Sequence, residues 1–260
     1  MNLPLITRSQ LEIINRRSLR YPLQTAEKDY FLAVVMQIIS KSDLQDVLVF
    51  KGGTSLHHCY LDQLRFSEDL DFTSVRNSLT LEDVRNLLSD YDLLNIQKDY
   101  QSEFSIKIEK LQYVGPLRQS NSLKIEIDRY QNVLLPPKKV KYNNVWGMDL
   151  HVTVMDIREI AAEKIRAMSD RARYRDYYDL YLLSEKFKVD LDEITTYVRQ
   201  KEIRRTITKA NIQQNWKIAL TQRQVEMDQV FYARKVDNEH IANLIEKLPF
   251  TEISAPIKSN

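Results

Sequence analysis

The sequence predicts an α+β fold of mixed α/β character, in which a small mixed sheet with its helices is followed by a helical carboxy-terminal part. Up to about residue 155, short stretches that alternate polar and apolar residues lie between helical segments, and such alternation is typical of half-buried strands. From Asp156 onward the pattern is helical. We therefore expect two domains, residues 1–155 and residues 156–260.

Composition excludes several classes of protein. The chain has 260 residues, of which 43% are hydrophobic and 28% charged, so it can form a sizeable core and wholesale disorder is not expected. Because the net charge is only +2, nucleic-acid binding would depend on local clusters of Lys and Arg. The single cysteine, Cys59, excludes an intramolecular disulfide framework and fits a reducing compartment. No apolar run has membrane-spanning length and the first residues lack a signal-peptide pattern, so we expect a cytoplasmic protein.

The helices predicted before residue 155 have apolar residues at helical spacing: 8–20, a segment opening at Thr25, 54–61 and 79–88. Thr7 or Ser9 would cap the first of them and Thr80 the last. The segment that opens at Thr25 is largely apolar, so we expect it to be buried. After residue 155, helices are predicted over 156–187 and near 191–200, 205–221 and 238–248.

The strands predicted from alternation are 67–73, 104–111, 123–128 and 151–155. The stretch from Val133 to Lys139 contains Pro136 and Pro137 and is predicted to be a break. Proline cannot donate to a β-ladder, so this pair cannot belong to a central strand.

Two aspartates on the predicted strand 67–73 indicate a metal site. Residues two apart on a strand point the same way, so Asp69 and Asp71 lie on one face while Leu70 and Phe72 point toward a core. Two carboxylates this close repel each other unless a cation lies between them, and oxygen ligands suit Mg²⁺ or Mn²⁺. The alternative is an exposed strand with both aspartates facing water.

A pair of glycines precedes these aspartates in a chain with only four glycines. Gly52 and Gly53 stand before a predicted helix, where they would let the backbone approach a ligand and leave helix-start N–H groups facing an anion such as phosphate. The alternative is a simple turn. Glycines that bind phosphate, upstream of a carboxylate pair that binds metal, together favour an enzyme acting on nucleotides.

These motifs resemble those of known enzymes. Gly52-Gly53-Thr54-Ser55 followed by Asp69-Leu70-Asp71 resembles the signature of the DNA polymerase β-like nucleotidyltransferase superfamily, although the gap is longer than usual. The wider sequence resembles the AbiEii/MenT-type toxin nucleotidyltransferases, the toxin halves of bacterial toxin–antitoxin and phage-defence pairs. The segments that carry this resemblance are Phe50–Leu56, Arg65–Phe72, Glu163–Ala167 and Arg175–Tyr181. It implies a polymerase β-like nucleotidyltransferase core in residues 1–155 and a helical domain in 156–260 that contributes to the active site.

The resemblance also implies roles for further residues. A third carboxylate completes the cation clamp in such enzymes; Glu126 and Asp128 share one face of the strand 123–128, and the family pattern favours Glu126. Lys164 matches a lysine placed against the triphosphate, and Asp179 would be an active-site carboxylate, serving as general base. Both have structural alternatives, a lysine that extends to water and a helix covered with surface ion pairs.

Several other residues are candidates for binding the nucleotide. Arg175 and Asp176 would support Asp179, and if residues 171–179 are helical, Arg171 and Arg175 meet on one side. Thr54 and Ser55 belong to the glycine motif. Lys51 and Arg65 flank the two main motifs, where each could touch phosphate or hold the loop as a structural charge. His57, His58 and Cys59 do not predict a zinc site, because adjacent helical residues point about 100° apart and no second cysteine exists.

The acceptor is the least determined part of the reaction. Basic residues cluster over 158–175 and 199–209, and several aromatic residues lie nearby in sequence: Tyr174, Tyr177, Tyr178, Tyr197 and Trp216. The basic residues could bind an RNA backbone while the aromatic residues stack on an unpaired end. The alternative is that these segments are ordinary solvated helix faces. The resemblance implies an NTP substrate, tRNA as the acceptor at its 3′ end, a block of translation, and a cognate antitoxin. The alternatives are a protein or small-molecule acceptor such as an aminoglycoside, or an inactive relative that only binds.

Overall fold

The computed structural model describes residues 3–201 and 204–255, without the side chains of residues 224–229. Contacts divide the chain into two compact units. The first comprises Met1–Tyr130 and Pro137–Val154, and the second comprises Gln131–Pro136 and Met155–Asn260. No helix among the described residues is long and apolar enough to cross a membrane.

The first unit is a mixed sheet with four helices. Its helices are α1 (Arg8–Arg17), α2 (Leu23–Ser40), α3 (Gly52–Cys59) and α4 (Leu81–Ser89). Its strands are β1 (Leu48–Lys51), β2 (Asp69–Ser74), β3 (Leu94–Gln101), β4 (Ser105–Val114), β5 (Ser120–Asp128), β6 (Lys138–Lys141) and β7 (His151–Val154). This arrangement confirms the predicted mixed α/β class.

The order of the strands places β2 at the centre of the sheet. The seven strands run β3-β4-β5-β2-β1-β7-β6, with β2 antiparallel to β1 and parallel to β5. Alternate residues of β2 and β5 are buried on one face, including Leu70, Phe72, Ile125 and Ile127. Their neighbours in sequence, which are polar, therefore lie on the opposite face.

Helix α2 forms much of the core of this unit. It is apolar around most of its circumference, as the segment opening at Thr25 predicts, and it packs on β5 and β7. Two acidic residues, Glu27 and Asp29, are buried on it. Each accepts hydrogen bonds: Glu27 from the backbone N–H of Leu117 at 2.7 Å, and Asp29 from the indole N–H of Trp146 at 2.9 Å.

The second unit is mainly helical. Its elements are α5 (Ile157–Asp170), α6 (Tyr174–Phe187), α7 (Leu191–Gln200), β8 (Ile207–Thr208), α8 (Lys209–Val230), α9 (Asn238–Glu246) and β9 (Glu252–Ile253). The predicted continuous helical pattern over 156–187 is interrupted between Asp170 and Tyr174, so the expectation that Arg171 is helical is wrong. Arg171 instead has extended backbone at the end of α5.

Candidate active site

The carboxylates of β2 and β5 meet on the polar face of the sheet. Asp69 and Asp71 are half-buried, two residues apart on β2. In the parallel pairing with β5, Asp71 lies opposite Glu126 and Asp69 opposite Lys124. On the other side of β2, Lys51 of β1 lies opposite Asp71. One row across the sheet therefore contains Lys51, Asp71 and Glu126, all on the same face.

The turn at Gly52 lies directly against Asp71. Gly52 has a φ of +77°, which L side chains rarely adopt. A Cβ built on Gly52 would meet the Asp71 side chain, 3.0 Å from its Cβ and closer still to Oδ2. The first glycine is thus required both by its backbone conformation and by the absence of space for a methyl group.

The second glycine faces a different pair of side chains. A Cβ on Gly53 would lie 2.5 Å from Nη2 of Arg65 and 2.8 Å from Oγ of Ser67. Arg65 is buried, and its Nη1 donates to the Phe66 carbonyl at 2.9 Å. The arginine predicted to flank the motif therefore brings its guanidinium to the first turn of α3.

Thr54 and Ser55 have buried hydroxyl groups with partners inside the unit. The Thr54 hydroxyl donates to the backbone carbonyl of Asp69 at 2.5 Å, which ties the start of α3 to the start of β2. The Ser55 hydroxyl donates to the Gly52 carbonyl at 3.0 Å. These side chains hold the glycine turn and the aspartate strand in a fixed relation.

Lysines accompany the carboxylates on this face. Lys107 of β4 lies opposite Glu126, and its Nζ is 2.9 Å from Glu126 Oε1. Lys51 Nζ is 3.6 Å from Asp128 Oδ2. We did not predict a role for Lys107, although the alternation of Ser105-Ile-Lys-Ile places it on the polar face with Glu126. That pattern is the signal from which the lysine could have been found.

The carboxylates on this face are of the type that binds a divalent cation, but their side chains do not form a complete coordination site. Asp69 and Asp71 supply oxygen ligands on one face, as Mg²⁺ prefers. Among residues 3–201 and 204–255, however, no group of three or more His, Cys, Asp or Glu side chains is arranged to hold a metal ion. The ion pair with Lys107 gives a physical reason, because it occupies one oxygen of Glu126. The pair Asp69 and Asp71 would hold the ion, with Glu126 as a third ligand once released from Lys107.

The second unit contains a buried charge cluster. Lys164 of α5 is bound by two fully buried carboxylates of α6, Asp176 at 3.0 Å and Asp179 at 2.7 Å. Arg171 Nε also binds Asp176, at 2.9 Å. Burial acts to raise the pKa of Asp176, but the charges of Lys164 and Arg171 outweigh it and lower that pKa to about 2. Asp176 is therefore a carboxylate that fixes Lys164 beside Asp179.

The structure thus brings together Lys164, Asp176 and Asp179, for which the family resemblance implied roles, and adds Arg171 from the end of α5. Arg175 lies half-exposed in the first turn of α6. The alternative of surface ion pairs is wrong for Asp176 and Asp179, and that of a lysine extending to water is wrong for Lys164, because all three side chains are buried.

The aromatic residues suggested for stacking on RNA are mostly unavailable. Tyr174, Tyr177, Tyr178 and Trp216 are buried, and their rings pack on one another in the core of the second unit. Tyr197 is half-exposed and its hydroxyl donates to Glu193 at 2.6 Å. The expectation that the first four stack on an unpaired end is therefore wrong, since a side chain that fills a core cannot also receive a base.

The two adjacent histidines belong to the core of the first unit. His57 and His58 are both buried. Nε2 of His58 lies 3.6 Å from Asp29 Oδ1, and its ring stacks on Tyr142 at a centroid distance of 4.4 Å. Burial raises the pKa of Asp29, although His58, Trp146 and Gln63 act in the opposite direction. His58 thus lies beside one buried carboxylate of the core, that of Asp29.

Comparisons with known proteins identify the family and the fold of this chain. A search among curated proteins finds no match. Among solved structures, the chain is similar in fold to MenT4, a nucleotidyltransferase toxin from Mycobacterium tuberculosis H37Rv, with a TM-score of 0.60, 22% identity, and coverage of 73% of this chain and 68% of that one. The model of a family described as nucleotidyl transferase AbiEii toxin, type IV toxin–antitoxin system, matches residues 34–255. These matches confirm the resemblance to AbiEii/MenT-type toxins drawn from the wider sequence, and the chain belongs to the AbiEii family of nucleotidyltransferase toxins.

Proposed function

We propose that this protein transfers a nucleoside monophosphate from an NTP to the 3′-hydroxyl of an RNA, with tRNA as the acceptor and Mg²⁺ as the cofactor. The new bond forms at the α-phosphorus as the bond to the leaving pyrophosphate breaks. The protein would thereby block translation in the bacterial cytoplasm, as the toxin of a toxin–antitoxin or phage-defence pair with a cognate antitoxin protein. The observation that carries the proposal is the row Lys51, Asp71 and Glu126, with the Gly52 turn packed on Asp71.

The first step is binding of the triphosphate. The first N–H groups of α3, at Gly52 and Gly53, would donate hydrogen bonds to a phosphate, because the start of a helix carries unpaired N–H groups and a partial positive charge. Arg65 adds a guanidinium beside Gly53, and Lys51 adds an ammonium group next to the turn. Thr54 and Ser55 keep this turn in place through their buried hydrogen bonds.

Nucleotidyl transfer then needs charge neutralisation and an activated hydroxyl. A bound Mg²⁺ would neutralise charge on the phosphates. Asp69 and Asp71 would hold it, and Glu126 would join them by exchanging its ion pair with Lys107. We assign Lys164 to the triphosphate and Asp179 to the attacking hydroxyl, as the family resemblance implies. Asp176, ionised at neutral pH, supports both by fixing Lys164. Arg175 is assigned to the nucleotide on the same basis.

Label transfer tests this assignment. Purified protein is incubated with each α-labelled NTP, Mg²⁺ and total tRNA, and the labelled product is resolved by size. We expect label on tRNA with the wild type and at least about 100-fold less with Asp71→Asn, because a misplaced or missing ligand of this kind costs about that factor. Glu126→Gln should lose about 10-fold or more if Glu126 joins the clamp.

The controls separate the alternatives. A Glu126→Gln variant with wild-type rates would exclude Glu126 from the clamp, and wild-type rates in Asp71→Asn would refute the site as a whole. Label that appears on protein or on an added aminoglycoside instead of RNA would refute the RNA acceptor. Induction in cells provides the biological readout: the wild type should arrest growth and Asp71→Asn should not, and co-expression of the cognate antitoxin should relieve the arrest.

A further inference from the structure

Two aromatic side chains at one end of the sheet are exposed to solvent. Phe104, which precedes β4, and Tyr130, which follows β5, are 40% and 46% exposed. Their rings meet edge to face, with centroids 5.0 Å apart and planes at 89°. Single exposed hydrophobic side chains are common, but contiguous exposed apolar surface often marks a binding site, and these two rings are in contact. Unlike Tyr174 and Trp216, these two rings are accessible to a ligand.

The fold holds these rings in place through the backbone. The N–H of Arg129 donates to the Phe104 carbonyl at 2.9 Å, and the N–H of Tyr130 donates to Asp128 Oδ1 at 2.9 Å. The Asp128 carboxylate is the one that also faces Lys51, at 3.6 Å through Oδ2. Because both ends of the ring pair are tied to strands, the surface would not have to become ordered when a ligand binds.

Arg129, which precedes Tyr130 in sequence, places a positive charge against the backbone just before Phe104. The guanidinium of Arg129 donates through Nη1 to the Ser102 carbonyl and through Nη2 to the Asn77 carbonyl, both at 3.2 Å. Within the part of the chain that the structure describes, no carboxylate is among its ion-pair partners. Backbone carbonyls fix the position of this cation without neutralising its charge, so it retains an attraction for an anionic group.

These residues are close to the proposed reaction centre. Tyr130 is four residues beyond Glu126 along the chain, and four residues span no more than about 14 Å. Tyr100, on the strand next to β4, lies opposite Lys107 in the row that continues to Glu126 and Asp71. An unpaired strand whose 3′ end reaches Glu126 would therefore place its last few nucleotides within reach of the exposed rings.

We propose that Phe104 and Tyr130, with Arg129, form a platform on which an unpaired base near the 3′ end of the acceptor RNA stacks. This assignment rests on the proposed function, because it names the acceptor of that reaction. Stacking of a base on an aromatic side chain tolerates any sequence, because every base has a π-face, and a fixed guanidinium attracts the adjoining phosphate. An aromatic pair beside a cation that keeps its charge matches a nucleotide better than an apolar protein segment.

Steady-state kinetics of label transfer test the platform. We expect Phe104→Ala and Tyr130→Leu each to raise the KM for tRNA about 10-fold, with kcat and the KM for NTP within about 2-fold of wild type. Tyr130→Phe keeps the aromatic ring and should therefore have the same KM for tRNA as the wild type. Phe187→Ala is the matched control, because Phe187 is 38% exposed on α6 but lies outside the platform, and it should leave every constant unchanged.

Two results would overturn the platform while leaving the proposed function intact. One is a KM for tRNA within 2-fold of wild type in both Phe104→Ala and Tyr130→Leu. The other is loss of antitoxin binding in these variants with unchanged KM for tRNA, which would make the surface a protein interface.

A second measurement keeps the two proposals distinguishable. If the wild type labels no RNA at all, the proposed acceptor is refuted, and the platform is then tested by RNA binding alone. A single-stranded RNA carrying 2-aminopurine near its 3′ end is titrated with each variant, since stacking on an aromatic ring quenches this base. Quenching by the wild type and by Tyr130→Phe, lost in Phe104→Ala, supports the platform, and equal quenching by all variants refutes it.

Discussion

Replacing Gly52 with alanine separates the backbone requirement of the turn from its effect on the site. Gly147 offers a matched control within the same unit. The two glycines have nearly the same backbone conformation, with φ of +77° and +78°, but a Cβ on Gly147 would have nothing within 4 Å. Alanine should therefore be strained equally at both positions and should displace a neighbour only at position 52.

The structure sets the size of each effect. A left-handed conformation costs an L-residue about 1–2 kcal/mol, so Gly52→Ala and Gly147→Ala should each lower the free energy of unfolding by about that amount. At position 52 the new Cβ would lie 3.0–3.1 Å from Cβ and Cγ of Asp71 and closer to Oδ2, where ordinary contacts begin at 3.4 Å. The carboxylate must then move by about 1 Å, and a misplacement of that size can cost about 100-fold in rate.

Two assays measure these effects. Urea unfolding of both variants gives the loss of stability, and label transfer from NTP gives the loss of activity. We expect Gly52→Ala to lose at least as much unfolding free energy as Gly147→Ala, since it adds the clash with Asp71 to the same backbone strain. Transfer should be about 100-fold slower in Gly52→Ala and within about 2-fold of wild type in Gly147→Ala. Equal activity of the two variants would refute the reasoning, because it would mean that the contact between the turn and Asp71 has no role in the reaction.

Two further predictions concern stability. The pKa of Asp176 is lowered from 3.8 to about 2, so its ionised form contributes about 2 kcal/mol to the free energy of unfolding above pH 4, and this contribution is lost as the pH falls from about 4 to about 2. The difference in unfolding free energy between wild type and Asp176→Asn should therefore narrow over that pH range, and a constant difference would contradict the prediction. Trp146→Phe removes the hydrogen bond to the buried Asp29 and should lower the free energy of unfolding by about 1–3 kcal/mol more than Trp216→Phe. The control loses a similar side-chain volume but no hydrogen bond in the described structure. Equal shifts of the urea midpoint in the two variants would show that the hydrogen bond does not contribute to stability.

The central strands β2 and β5 could be predicted from the sequence because one of their faces is buried, whereas β1, in which all four residues are buried, shows no such alternation and was not predicted. Along Asp69–Phe72 and Lys124–Asp128 the alternation of polar and apolar residues matches the two faces of β2 and β5. The edge strands β3 and β6 were missed for the opposite reason. Most of their side chains are exposed or half-exposed, so burial does not constrain their sequence, and β3 also contains irregular pairing between Ile96 and Asp99 that breaks the alternation.

The site was predicted in part for a similar reason. The face shared by Asp69 and Asp71 follows from strand geometry alone, whereas the ion pair of Glu126 with Lys107 depends on the pairing register of β4 with β5, which the pattern of either strand alone does not determine. Burial of Asp176 and of Tyr174 could not be read from a helix rich in charged residues and tyrosines. Local pattern indicates which side a residue faces, and only tertiary structure determines what covers that side.

The path of the chain limits how this protein can be divided. The six residues 131–136 belong to the second unit although they lie between two strands of the first. In that segment the N–H groups of Leu134 and Leu135 donate to Glu159, and the carbonyl of Asn132 accepts from Lys201.

A fragment that begins at Met155 would therefore leave two buried charged groups, Glu159 and Lys201, without these partners. Separate expression of the halves would then give an unstable helical piece for reasons of chain connectivity. A dissection that preserves the native hydrogen bonds must carry residues 131–136 on the helical piece, for example by joining them through a linker to its amino terminus.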